Sequence, residues 1–145
     1  MNTLDYLQSK YHLLPNIITL PGLTVKIYSV VDIDVLVDKA ECEDDLPFWA
    51  QVWPASIGLA MYLWQSEDLA NLHALELGAG TGLGGIVAAL RGLFVTQTDF
   101  VPDALKFCKV NALVNGANNS GFAKADWRNF TLPGTYPLIF ASDIL

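Results

Sequence analysis

The stretch that decides the fold is Leu75–Gly82, which reads Leu-Glu-Leu-Gly-Ala-Gly-Thr-Gly and joins a short apolar strand to an apolar, alanine-rich helix. Glycines permit a sharp turn and let a ligand lie against the backbone, because no Cβ atom stands in the way. The helix that follows begins with free N–H groups directed at the same place. This turn therefore predicts a pocket for a nucleotide-type ligand at the carboxyl end of a parallel strand.

Glu76, just before the glycines, distinguishes between two cofactors that could use this turn. Gly80-x-Gly82-x-x-Gly85 also spells the dinucleotide fingerprint, which is weak evidence by itself. In that fingerprint a pyrophosphate lies at the helix N-terminus, where a neighbouring carboxylate is unfavourable. A carboxylate suits a ligand with a cationic end better, such as the amino group of S-adenosylmethionine (SAM). The alternatives are a glycine turn without a ligand and a Glu76 that only caps backbone N–H groups.

Composition predicts a globular protein and argues against a nucleic-acid partner. The 145 residues are 52% hydrophobic, which suffices for one domain with a modest core. Eight Lys and Arg stand against fifteen Asp and Glu, which gives a formal net charge of −7. Binding to phosphates needs a basic surface. The acidic balance therefore favours a small molecule or a basic protein segment as the partner.

Nothing in the sequence predicts export or a membrane. Asp5 and Gln8 interrupt the first residues, no apolar segment of a signal peptide follows, and no apolar run reaches membrane-spanning length. Cys42 and Cys108 are too few for a disulfide framework and predict reduced thiols, with Cys108 on the apolar side of a helix. We therefore expect a cytoplasmic protein that does not associate with membranes.

The order of predicted elements divides the chain into two parts, 1–45 and 46–145. In the first part, alternation around Pro21-Gly22 predicts a β-hairpin, and Asp32 is expected to cap a short helix. In the second part, Pro54 begins an apolar helix that we expect to be buried on all sides. Strands and helices then alternate, which predicts an α/β fold with a doubly wound, Rossmann-like parallel sheet. The predicted elements are strand 74–78, helix 83–91, strand 93–98, helix 102–115, strand 122–125 and strand 138–141.

Two acidic residues stand where predicted strands end, at the same edge of the sheet as the glycine turn. Asp99 follows the second strand, and a carboxylate there can accept hydrogen bonds from both hydroxyls of a ribose. Dehydrogenases share this feature, so Asp99 indicates a nucleoside without selecting the cofactor, and a helix cap is the alternative. Asp126 ends the third strand and is followed by Trp127, whose flat indole face suits stacking unless it packs in the core.

These motifs together resemble the class I, seven-β-strand SAM-dependent methyltransferases. Leu46–Ala55 resembles the segment before the first strand in the methyltransferase-16 group, which includes cytosolic protein-lysine methyltransferases. Ala141–Leu145 resembles the strand-four signature of that group, an acidic residue followed by two apolar residues and an aromatic one. Asp143 falls on the acidic position, and the aromatic position would be residue 146, which this sequence does not include. The resemblance extends over about 46–145, whereas residues 1–45 match only loosely.

The resemblance implies a role for ten residues of the site. Gly78, Ala79 and Gly80 would lie beneath the methionine and ribose of SAM, and Asp126 would meet the adenine amino group beneath Trp127. The residues implied in cofactor binding are Trp53, Glu76, Gly78, Ala79, Gly80, Asp99, Asp126, Trp127 and Ser142. Asp143 is the catalytic candidate, which would orient the acceptor amine. Phe48 and Trp49 are expected to pack or to line the acceptor channel, and no metal ion is implied.

The predicted function is a SAM-dependent N-methyltransferase of the EC 2.1.1 class that acts on a protein lysine or on a small-molecule amine. One alternative is a SAM-binding domain without activity. Another is an NAD-dependent oxidoreductase, for which the sequence offers no hydride-transfer residues. The family fold has seven strands in the order 3-2-1-4-5-7-6, and only four are predicted here. We therefore expect a domain incomplete at its C-terminus, or a homodimer, because strand 138–141 would lie on an open edge.

Overall fold

The computed structural model describes residues 1–144. This part of the chain contains six strands and five α-helices. The strands are β1 (Leu13–Leu20), β2 (Leu23–Val30), β3 (His73–Leu77), β4 (Phe94–Asp99), β5 (Ser120–Lys124) and β6 (Leu138–Ala141). The helices are α1 (Thr3–Lys10), α2 (Ile33–Val37), α3 (Pro54–Gln65), α4 (Leu83–Leu90) and α5 (Pro102–Val114). None of these helices is long and apolar enough to cross a membrane.

The four later strands form the parallel sheet that the sequence predicts. Their order is β5-β4-β3-β6, and β1 pairs with β2 in a separate antiparallel hairpin. In the central strand, Leu75 lies opposite Thr96 of β4 on one side and Ile139 of β6 on the other. Every predicted strand of this sheet is present, with bounds that differ by two residues at most. The predicted α/β, Rossmann-like class is confirmed.

The hairpin and the parallel sheet share one apolar core. Ile86 of α4 has no exposed surface and belongs to the same buried cluster as Ile27 of β2. Asn111 of α5 is also fully buried, and its amide donates to the carbonyl oxygens of Tyr28 at 3.0 Å and Thr81 at 2.9 Å. This side chain therefore connects the hairpin to the glycine turn. The division of the chain at residue 45 stays a prediction.

Two local expectations about helices are wrong, and one helix was missed. Asp32 precedes α2, but its side chain makes no capping hydrogen bond. The apolar helix α3 is not buried on all sides, because Tyr62 is 71% exposed. The helix packs on α4 and the hairpin with one face only, so its lack of charge does not indicate full burial. In addition, α1 is absent from the prediction, although Asn2 and Asp5 form a reciprocal capping box at its start.

β6 lies at an edge of the parallel sheet within residues 1–144. It pairs with β3, and its two faces differ: the side chain of Ile139 is 57% exposed, whereas that of Phe140 is buried. The prediction of a strand on an open edge is confirmed. The short apolar run of this strand is typical of a central strand buried on both faces, but none of the described elements covers Ile139.

Candidate functional site

A cavity of about 620 Å³ opens at the carboxyl ends of β3, β4 and β6. In open α/β sheets ligands bind at this edge, where the strand order reverses. Nine of the ten predicted site residues line the cavity: Trp53, Glu76, Gly78, Ala79, Gly80, Asp99, Trp127, Ser142 and Asp143. Elements far apart in the sequence thus contribute to one concave surface.

The glycine turn needs glycine both for its conformation and for its contacts. Gly78 and Gly80 have φ values of +62° and +56°, in the left-handed region that a Cβ atom disfavours. A Cβ atom on Gly80 would lie 3.2 Å from the carbonyl oxygen of Trp49, and one on Gly78 would lie 2.5 Å from Cγ2 of Ile144. Glycine at these two positions therefore avoids clashes with Trp49 and Ile144, and both residues line the cavity without a side chain.

Glu76 lies beneath this turn and supports it. Its Oε2 atom accepts a 3.0 Å hydrogen bond from the N–H of Gly85, in the first turn of α4, and a 2.7 Å bond from Nε2 of Gln97. Desolvation raises the pKa of Glu76 to about 7, despite both hydrogen bonds and with a smaller contribution from the charge of Asp99. The carboxylate thus caps α4 and also borders the cavity, so the two interpretations of Glu76 are compatible.

Gln97 is part of this support and was missed by the sequence reasoning. Its side chain is fully buried, and Nε2 donates to the carbonyl oxygen of Gly82 at 3.0 Å as well as to Glu76. Among the described residues its Oε1 atom has no hydrogen-bond partner. A signal was present, because an amide in the middle of a buried strand needs a polar neighbour.

Asp99 joins the glycine turn to the start of α5. Oδ2 accepts from the N–H of Gly80 and Oδ1 accepts from the N–H of Val101, both at 2.9 Å. Burial raises the pKa of Asp99, although these backbone N–H groups act against the rise. The capping alternative is therefore realised. Each carboxylate oxygen offers two acceptor positions, so Asp99 also retains capacity for hydroxyl groups of a ligand.

Aromatic side chains near the cavity divide into packed and exposed ones. The ring of Trp49 packs against Tyr11 and Phe107, with centroids 5.9 Å apart in each pair. Phe48 is instead 57% exposed, and Trp127 is 41% exposed. Trp49 is thus packed in the core, whereas Phe48 and Trp127 are not. Exposed indole and phenyl faces beside a cavity can receive a planar or cationic ligand.

Asp126 is the predicted site residue that does not line the cavity in the described structure. Its carboxylate is occupied by Arg128, whose Nε and Nη2 atoms donate to Oδ1 and Oδ2 at 2.9 Å each. Hydrogen bonding from Arg128 lowers the pKa of Asp126. Arg128 also reaches Asp44, and Nη1 donates to Oδ1 of that residue at 2.8 Å. We call Asp44, Phe48, Trp127 and Arg128 the rim, since all four line the mouth of the cavity.

Ser142 and Asp143 follow β6 and complete the cavity wall. Asp143 has a φ of +51°, a left-handed conformation that is uncommon outside glycine. Such a conformation persists where the surroundings hold it, often at functional positions. Leu145, an apolar residue of the predicted strand-four signature, lies outside the described residues.

Comparison with known proteins identifies the family. A family profile described as lysine methyltransferase matches residues 40–145. The chain belongs to the lysine methyltransferase family. The resemblance predicted from residues 46–145 is confirmed, and the match begins six residues earlier. This membership favours the methyltransferase interpretation of the glycine turn over the dinucleotide one.

Individual relatives of this lysine methyltransferase family member agree with the assignment. Protein N-lysine methyltransferase METTL21A of Danio rerio is 42% identical over 104 residues, which cover 66% of this chain and 47% of that protein. EEF1A lysine methyltransferase 3 of Mus musculus is 38% identical over 101 residues, with 66% and 43% covered. The chain spans about half the length of the curated relatives it matches.

A solved structure has the same fold. Magnesium protoporphyrin IX methyltransferase from Synechocystis, solved with bound S-adenosylhomocysteine (SAH), superposes with a TM-score of 0.55 at 22% identity, over 61% of this chain and 41% of that chain. At this identity the likeness supports the Rossmann-like methyltransferase fold and says nothing about the acceptor.

Proposed function

We propose that this protein is a SAM-dependent N-methyltransferase that acts on a protein lysine. The observation that carries the proposal is the cavity at the carboxyl ends of β3, β4 and β6, bordered by bare glycine backbone and two buried carboxylates. Membership in the lysine methyltransferase family and the names of the relatives support the same activity.

The residues of the cavity fit SAM as the cofactor. Gly78 and Gly80 line the cavity without a side chain, and Asp99 has acceptor positions for two ribose hydroxyls. The exposed face of Trp127 suits adenine, with Asp126 as the proposed acceptor for its amino group. Trp53, Ala79 and Ser142 line the remaining surface, and the carboxyl group of Glu76 is the proposed acceptor for the amino group of the methionine part.

The acceptor end of the cavity suits a cationic amine. SAM supplies an activated methyl group, so the protein mainly has to orient the acceptor and control its proton. A lysine ammonium has an ordinary pKa of about 10.4 and must lose its proton before it can attack. Asp143 is the proposed residue for orienting the amine, and the exposed face of Phe48 can hold a cation. A small-molecule amine is the second candidate acceptor.

The cellular setting is part of the proposal. Both cysteines of the described residues are free thiols, which agrees with a reducing, cytoplasmic compartment. The net charge of −7 argues against a nucleic-acid partner and fits a basic protein segment. The exposed Ile139 edge of β6 gives a homodimer a surface on which to form.

Cofactor binding is tested by titration calorimetry with SAH, SAM and NAD. We expect SAH and SAM to bind, and NAD binding tighter than SAM would contradict the assignment. Asp99→Ala should weaken SAH binding by about 1.5–3 kcal/mol, the range for hydrogen bonds to a charged group. Asp32→Asn is the matched control, because it removes an exposed carboxylate that does not line the cavity. An unchanged affinity in Asp99→Ala would leave Asp99 with the capping role alone.

The acceptor is tested by incubating the purified protein with methyl-labelled SAM and a cell lysate. Label in protein that survives nuclease treatment, followed by mass spectrometric assignment to lysine, is the expected result. Label only in nucleic acid or in small metabolites would contradict a lysine acceptor. Tight SAH binding without any methyl transfer would favour the non-catalytic SAM-binding domain.

A further inference from the structure

Arg128 ties two distant loops together at the mouth of the cavity. It belongs to the short 3-10 helix Trp127–Asn129, which follows β5, and its partner Asp44 belongs to the 3-10 helix Glu43–Asp45. The two residues are 84 positions apart in the sequence, and both line the cavity. The 2.8 Å ion pair between them therefore spans the rim from one side to the other.

Two further contacts hold the guanidinium in this position. Asp126 receives Nε and Nη2 in a fork geometry that arginine forms with a single carboxylate. The Cζ atom lies over the ring of Phe100, 5.4 Å from its centroid, within the range of a cation–π contact. Phe100 follows Asp99 directly and lines the cavity. The guanidinium thus covers the apolar surface next to Asp99.

We infer that Arg128 is a strap that closes the base-binding end of the cavity and has to move away before a nucleoside binds. The inference rests on the proposed function, because a ribose held by Asp99 would bring its base to Phe100. A base and a guanidinium both stack on an aromatic face, so they compete for the same ring. Binding would also free Asp126 from Arg128 and make its carboxylate available to the ligand.

The strap is built to open. The side chains of Arg128 and Asp44 are 46% and 58% exposed. Exposed ion pairs are individually weak and are screened by salt, so thermal motion can release the guanidinium repeatedly. A buried ion pair in the same place would keep the cavity closed. The exposed pair between Arg128 and Asp44 only slows the binding of the ligand.

Stopped-flow binding of SAH, followed by tryptophan fluorescence, tests the strap. Arg128→Gln should bind SAH about five-fold faster than the wild type and correspondingly tighter, the size expected for the loss of exposed ion pairs. Asp44→Asn should change the rate in the same direction by about two-fold, because Asp126 still holds the guanidinium. Asp32→Asn, which removes an equally exposed carboxylate outside the cavity lining, should leave the rate unchanged.

Salt gives an independent readout. Raising the salt concentration from about 0.05 to 0.5 M should accelerate SAH binding to the wild type, since screening weakens the ion pairs, but not to Arg128→Gln. The hydrogen bonds of Arg128 are measured without ligand by ¹⁵N NMR of the arginine Nε–H groups. Arg91, whose Nε donates to the carbonyl oxygen of Ser66, serves as an internal reference. The Nε–H of Arg128 should be protected from exchange and lose that protection in Asp126→Ala, which removes its acceptor.

Specific outcomes overturn the strap. A folded Arg128→Gln that binds SAH at the wild-type rate, or more slowly, contradicts it, and so does an unprotected Arg128 Nε–H in the wild type. Complete loss of SAH binding in that variant would assign Arg128 to holding the ligand and overturns the strap as well. If the wild type binds neither SAH nor SAM, the proposed function and the strap both fail. If SAH binds with equal rates in all variants, only the strap fails.

Discussion

The two sides of the cavity are built in different ways. On the glycine-turn side, Glu76, Gln97 and Asp99 are all at least 95% buried and bonded to one another or to backbone N–H groups. On the rim, Phe48 and Trp127 are substantially exposed, and Arg128 is held by ion pairs in contact with solvent. Buried polar groups that are hydrogen-bonded to one another favour one geometry, whereas exposed ion pairs permit alternatives. One side is thus preorganised, and the other can adapt to a ligand.

The largest effect is expected from Glu76→Ala on the glycine-turn side. This change leaves the N–H of Gly85 and one N–H of Gln97 without an acceptor in a buried site, at about 1–3 kcal/mol each. We expect the free energy of unfolding in urea to fall by about 3–5 kcal/mol. Glu76→Gln is the matched control, and it should cost less because an amide oxygen can still accept from Gly85. Equal losses in both variants would mean that an amide cannot replace the carboxylate as the acceptor, because glutamine keeps the volume of the side chain.

The pH dependence of stability is expected to follow from the same residue. The pKa of Glu76 is about 7 in the folded protein, above its ordinary value of 4.5, so the folded state retains a proton that the unfolded state releases. This contribution to stability is fully present below pH 4.5 and is lost as the pH rises to about 7. It amounts to at most about 3 kcal/mol, from 1.36 kcal/mol for each pKa unit.

The measurement is urea unfolding across that pH window. Wild-type stability should decrease with rising pH, and Glu76→Gln should remove most of the slope. The raised pKa of Asp99 leaves a residual slope of the same sign above pH 3.8. A wild-type stability that increases through the window would contradict the buried, proton-retaining state of Glu76.

Two glycine substitutions separate backbone strain from contact. Gly80 and Gly116 have similar left-handed φ values, +56° and +67°, so alanine is strained at both by about 1–2 kcal/mol. A Cβ atom at Gly116 meets nothing within 4 Å, whereas one at Gly80 meets the backbone of Trp49. Gly80→Ala should therefore destabilise by about 1 kcal/mol more than Gly116→Ala, and only Gly80→Ala should weaken SAH binding. Equal losses would show that the close approach to Trp49 relaxes at no cost.

The sequence predicted the glycine-turn side well because its signals are local. The apolar strand before Gly78, the glycines themselves and the acidic residue that ends β4 lie within short segments, and their periodicity reports the fold. Gln97 and Arg128 were missed because their roles depend on partners in other elements. Arg128 acquires its role only when β5 brings it to Asp44, 84 residues away. Pairings over such distances leave no periodic pattern.

The exposure of helix α3 was mispredicted for a related reason. Its residues are nearly all apolar, but the described elements provide a packing partner for only one of its faces. Composition reports that a helix is apolar, whereas burial depends on how many neighbours surround it. The same reasoning applies to β6, whose Ile139 is apolar and yet exposed.

The smallest effect on stability is expected at the rim, with Trp127→Ala. The indole is 41% exposed and belongs to neither buried cluster, so unfolding should change by no more than about 0.5 kcal/mol. Loss of a stacking surface should nevertheless weaken SAH binding by about 1–3 kcal/mol, as for other aromatic platforms beneath bases. Trp127→Phe keeps a flat ring and should retain most of the affinity. A loss of SAH affinity with an unchanged free energy of unfolding would distinguish the rim from Glu76, where we expect affinity and stability to fall together. A Trp127→Ala variant that unfolds easily would instead place this side chain among the packed ones, with Trp49.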